Sequence, residues 1–74
     1  MPYHKRLREL RLRNNETQQQ IARLLQTSQQ AYLRYEKGIN EIPVHRIITL
    51  CKHYNISADY LLCLTDEMRP LNKK

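Results

Sequence analysis

The stretch TSQQAYLRYEKG, residues 27–38, sets two carboxamides, a leucine and a guanidinium close together on what its spacing makes a short helix. Ser28 is a plausible N-cap, with a hydroxyl to take an orphan N–H, and Gly38 is a natural stop in the left-handed region. Ala31, Tyr32 and Tyr35 follow i, i+1, i+4 spacing and share one inward face. Gln29, Gln30, Leu33, Arg34 and Lys37 are thereby turned outward. A carboxamide donates and accepts at once, and a guanidinium offers a planar fork of donors. These groups suit recognition of hydrogen-bonding edges better than bond-making.

Catalytic and metal chemistry find little support. Cys51 and His53 are two apart on an expected helix, hence on different faces, and no second pair completes a four-ligand zinc set. His4, His45 and His53 have no acidic orienter or nucleophile nearby in sequence, and no glycine-rich loop is present to cradle a phosphate. The chain is therefore expected to be no enzyme and to need no cofactor or metal.

The elements that must position the outward face can be read along the chain. Residues 4–13 carry Leu7 and Leu10, with Tyr3, on one side and arginines elsewhere. NNE at 14–16 breaks this helix. Thr17 followed by Gln20 matches a capping box and opens a second helix, 17–25, with Ile21, Ala22, Leu24 and Leu25 apolar. The turn QTS leads to the third helix, 29–37. After the loop INEI, Pro43 is placed for the first turn of a fourth helix, 44–54, expected to bury Val44, Ile47, Ile48, Cys51 and Tyr54. Asn55 can end it. Ser57 can cap a fifth short helix carrying Tyr60, Leu61, Leu62 and Leu64. The final stretch, 65–74, lacks a pattern and is expected to fray.

At 74 residues, 41% of them hydrophobic and only one a glycine, the chain favours a small all-α bundle of five helices over a β-barrel or sandwich. Its formal charge of +6 is concentrated in residues 1–13, where Lys5, Arg6, Arg8, Arg11 and Arg13 face only Glu9. Such a balance favours a polyanionic partner, nucleic acid ahead of membrane, and the plain alternative is a solvated basic face. The opening PYHKRLREL is too charged for a secretory leader, and no run approaches a membrane span. Together with two cysteines at otherwise apolar positions, this points to a cytoplasmic chain with reduced, buried thiols.

The second and third helices, separated by about three residues, form a helix-turn-helix pattern. Close approach at Ala22 needs a small side chain, and Ile21, Leu25, Tyr32 and Tyr35 must be apolar to lock the pair. With TQQQIARLL, Ser28, YEKG at 35–38, Pro43 and ISADYLL in order, the chain resembles the Cro/repressor-type (XRE-like) helix-turn-helix domains over about residues 5–64. It departs from them at Gln26 and Cys63, where glycine is usual, and at Thr27 and Glu16, where Val and Leu are usual. Leu24 and Leu33 are more apolar than their exposed positions suggest.

The resemblance implies a lambda-repressor-like DNA-binding domain over residues 1–64, followed by the tail 65–74. It implies that the third helix lies in the major groove. Gln29 and Gln30 then match adenine, Arg34 matches guanine and Leu33 covers a thymine methyl. Thr17 and Gln18, at the start of the second helix, would hold a phosphate, with Gln18 bracing Gln29. Lys37 and Asn40 resemble a second phosphate clamp, while Arg23 reads as a solvated charge. Arg11 and Glu36 are implied as a structural ion pair. The expected function is a sequence-specific double-stranded DNA-binding transcriptional regulator, a repressor, binding a palindromic operator as a homodimer. Its half-sites would lie about 34 Å apart, with Leu62 and Leu64 as dimer contacts. The alternative is a protein-interaction module on the same scaffold, an antitoxin or adaptor whose protein partner meets Leu24, Leu33 and the leucine-rich fifth helix.

Overall fold

The computed structural model describes residues 2–71. Among them five helices follow one another: α1 (Tyr3–Arg13), α2 (Gln18–Leu24), α3 (Gln29–Glu36), α4 (Val44–Tyr54) and α5 (Ala58–Leu61). The first four agree with their sequence expectations to within a residue or two, with Pro43 as the N-cap of α4 instead of in its first turn. The fifth stops at Leu61, so Leu62 is its C-cap and Leu64, expected within it, lies beyond its end. None of these helices is long and apolar enough to cross a membrane.

One core joins them. Leu7 and Leu10 of α1 pack with Ile21, Ala22, Leu25, Tyr32, Leu50 and Leu61, all buried. Burying a side chain such as Leu7 or Leu61 contributes about 1.5–3 kcal/mol. α1 meets both α3 and α5, so it is the strut against which the helix-turn-helix and the C-terminal elements are set. The Ile42 side chain, inside the loop that reads as polar, is also buried, and its N–H donates to the Tyr3 hydroxyl at 3.3 Å.

All five helices end in the same way. The residue after each last turn adopts a left-handed φ: Asn15 at 56°, Gln26 at 57°, Gly38 at 74°, Asn55 at 52° and Cys63 at 64°. Each time the following N–H reaches back to a carbonyl of the last turn: Glu16 to Arg11, Thr27 to Ala22, Ile39 to Arg34, Ile56 to Cys51 and Leu64 to Asp59, at 2.9–3.0 Å. This Schellman closure turns the chain sharply while satisfying orphan carbonyls. Only one of the five positions is a glycine, and two are residues with no natural liking for that conformation.

The structure also departs from the sequence reading in which side chains it buries and in the course of the tail. Val44 and Ile48, expected in the core, are exposed, and Leu50 is buried instead. Cys51 is buried as expected, but Cys63 is only partly so. Arg6, expected away from the apolar stripe, is buried over the Tyr60 ring, 4.0 Å from its centroid. It donates to the carbonyls of Tyr60 at 2.8 Å and Thr65 at 3.2 Å and pairs with Asp66. The tail expected to fray is thus tied back over 65–71, with Ser57 N–H donating to Arg69 O at 2.8 Å and Leu71 N–H to Asn55 O. Residues 72–74 lie outside the described residues.

A left-handed φ costs a non-glycine residue about 1–2 kcal/mol, offset in part by the greater freedom glycine loses on folding. Gln26→Gly and Cys63→Gly are therefore each expected to stabilise by about 0.5–1 kcal/mol, raising Tm by several degrees. Gly38→Ala should do the opposite: besides its φ, a Cβ there would lie 2.9 Å from the His4 ring. Thermal melts of the three variants check both signs.

Candidate nucleic-acid interface

The α2–α3 unit is built from local rules. The Thr17 hydroxyl accepts from Gln20 N–H at 3.1 Å while the Gln20 side chain accepts from Thr17 N–H at 2.7 Å, a complete capping box. The Ser28 hydroxyl accepts from Ala31 N–H at 3.1 Å and starts α3. Ala22 is small and fully buried where the helices approach, and Thr27 N–H closes the turn onto its carbonyl. Tyr32 and Tyr35 pack edge to face with centroids 6.4 Å apart on the inward side of α3. Arg46 of α4 donates to the Tyr35 hydroxyl at 2.6 Å, fixing that ring's outer end.

The tilt of α3 is held from its C-terminal end. Arg11 of α1 grips the Glu36 carboxylate with both arms of its fork, Nε to Oε2 at 2.7 Å and one terminal nitrogen to Oε1 at 3.1 Å. Its remaining arm donates to Glu16 O at 3.0 Å. The Gln18 carboxamide joins this cluster, donating to Glu36 Oε1 at 3.3 Å; it braces Glu36 and not, as the resemblance implies, Gln29. Burial alone would push the Glu36 carboxyl up. Hydrogen bonds from Arg11, Tyr32 and Gln18, with the Arg11 charge, outweigh it and hold the carboxyl below its usual range. The Tyr32 hydroxyl, buried beside this carboxylate, is pushed up and stays neutral.

A second clip sits at the turn before α2. Glu16, where the resembled family carries leucine, meets His53 Nε2 at 2.5 Å with one carboxylate oxygen and accepts from the Tyr54 hydroxyl at 2.8 Å with the other. No acidic partner of His53 was visible nearby in sequence because it lies across the fold. Arg46 and Glu16 are positioning residues that sequence spacing did not disclose.

With the inward side so fixed, Gln29, Gln30 and Arg34 are exposed, and their side chains make no hydrogen bond or ion pair among the described residues. Leu33 between them is half-buried. Lys37 and Asn40 are exposed beyond the end of α3, and Thr17 is exposed at the start of α2. The Thr17 hydroxyl uses one lone pair in the capping box and keeps its hydrogen to donate outward. This surface presents neutral amides and unpaired cations without an exposed carboxylate on α3, the donor set that phosphate and base edges require. Leu62 is half-buried at the end of α5, and Leu64 lies just beyond it, exposed. Among the described residues no three His, Cys, Asp or Glu side chains stand where they could hold a metal ion.

Comparison with known proteins gives two findings. A helix-turn-helix family model matches residues 7–61. The chain is also 34% identical over 68 residues to an uncharacterized HTH-type transcriptional regulator of Bacillus subtilis (strain 168), YobD. That match covers 92% of this chain and 61% of the relative, so the chain spans about three fifths of the relative's length. No solved structure matches the chain.

Removing one partner of a buried ion pair costs about 3–5 kcal/mol, and the Glu36 and Arg11 side chains are 2% and 9% exposed. Because the folded pKa of Glu36 is depressed, its contribution is fully present above the ordinary glutamate value, about 4.3. It is lost as pH falls through the folded value. Glu36→Gln should therefore lower Tm sharply at neutral pH and flatten the fall of Tm on acidification. Melts of the native chain and the variant across that acid range check both effects.

Proposed function

The chain belongs to the Cro/repressor-type helix-turn-helix family, and on that premise we propose that it is a sequence-specific double-stranded DNA-binding transcriptional regulator acting as a repressor. The observation that carries this reading is the outward face of α3, where Gln29, Gln30 and Arg34 are exposed and unpaired on a helix held rigidly from behind. In the major groove a glutamine carboxamide accepts from adenine N6 and donates to N7, and Arg34 forks onto guanine O6 and N7. Leu33 covers a thymine methyl. Thr17, Gln18, Lys37 and Asn40 bind phosphates on either side and fix the register. The relative's description as a transcriptional regulator agrees with this role.

One short recognition helix reads few base pairs. A homodimer on a palindromic operator, with half-sites about one helical turn apart, supplies the rest of the specificity. Leu64, at 75% exposure, supports a dimer contact at the end of α5, with Leu62 beside it. The competing reading, an antitoxin or adaptor that meets a protein through such apolar positions, draws on the exposure of Leu24 and Leu64.

Selection from a randomised duplex library decides between them. The native chain is expected to enrich one sequence, and Gln29→Ala or Arg34→Ala to relax preference at single positions by about 1–3 kcal/mol each. Lys37→Ala should instead weaken all duplexes alike and reduce the salt slope by about one. An unenriched library, with stoichiometric capture of a protein, would establish the adaptor.

A further inference from the structure

A groove runs between α1 and the turn that follows α3. Two side chains in it, Leu12 and Ile39, are apolar yet 48% and 66% exposed. Lys5 and Arg8 line it from α1, and Lys37 from the opposite side. Two carboxylates also line it, but both are already neutralised. Glu9 pairs with Arg13 at 3.1 Å and Glu36 with Arg11 at 2.7 Å, and neither arginine lines the groove. Lys5, Arg8 and Lys37 have no ion-pair partner among the described residues. The unbalanced charge lining the groove is therefore positive.

A phosphodiester track asks for cations and N–H groups and gains nothing from exposed leucine and isoleucine. A groove that exposes a leucine and an isoleucine beside unpaired cations fits an acidic, partly apolar chain much better. We infer that this groove docks a peptide segment of another protein, one that presents a large apolar side chain flanked by Asp or Glu. The apolar side chain covers Leu12 and Ile39, and the carboxylates meet Lys5, Arg8 and Lys37. Lys37 is also a proposed phosphate contact, so docking and operator binding compete. That competition rests on the DNA-binding reading, whereas docking itself does not.

The test is a display selection of random peptides against the full chain, followed by affinity measurement of synthesised winners. Leu12→Ser/Ile39→Ser, two changes at exposed positions, is the counter-target. The expected winners are net acidic with at least one bulky apolar residue. They lose at least about tenfold in affinity on that double variant and on Lys5→Ala/Arg8→Ala, the scale of a central contact residue, and added duplex displaces them. Winners lacking this signature, or indifferent to both double variants, overturn the proposal. So does a library without groove-dependent winners together with a reduced salt slope of duplex binding in Lys5→Ala/Arg8→Ala, which would make the groove part of the phosphate path. Groove-dependent peptides that bind alongside the duplex would uphold docking and remove only the competition.

Discussion

Burying a carboxylate costs several kcal/mol unless cations and donors meet it, and Glu36 is met on every side. It is the last residue of α3, and its partners come from three places: Arg11 on α1, Gln18 at the start of α2 and Tyr32 one turn back on α3. A bidentate guanidinium grip tolerates little rotation. The direction in which α3 points its outer face is therefore set by a contact on its inner one. Gln18 carries this coupling a step further, because the residue proposed to touch a phosphate also touches the carboxylate that orients the reading helix.

The short closures between helices serve the same end. Helices of four to eleven residues are not stable alone, and their packing requires sharp, defined turns. The chain obtains them with one backbone device at every helix end, even where Gln26 and Cys63 must occupy a conformation better suited to glycine. Hydrogen bonds to the last-turn carbonyls and burial of the following apolar residue, as at Ile56, hold these turns in place. Glu16 strengthens one of them by engaging His53 and Tyr54 across the fold.

Much of this was legible from sequence where a local rule applies. The capping box at Thr17 and Gln20, the serine caps and the stop at Gly38 depend only on neighbours in the chain, and so does the inward set Tyr32 and Tyr35. What failed depends on distance. In α4, six of eleven residues are apolar, and periodicity alone cannot choose which stripe meets the core; Val44 and Ile48 fall just off it and Leu50 on it. Arg6 looked solvated because its carbonyl and Asp66 partners lie more than fifty residues away. The outward direction of Gln29, Gln30 and Arg34 followed from the tyrosines. The chemistry proposed for them toward a base rests on side-chain type and on the family.

The central claim is that the outer face of α3 reads base edges. It is tested most directly by fluorescence anisotropy of one selected duplex against a scrambled duplex, each titrated with the intact chain at two salt concentrations. Phosphate contacts weaken steeply and equally for both sequences as salt rises, whereas base contacts do not. The account predicts an affinity gap between the duplexes that survives at the higher salt. Equal affinities that collapse together would contradict it, leaving α3 as a surface for something other than DNA sequence.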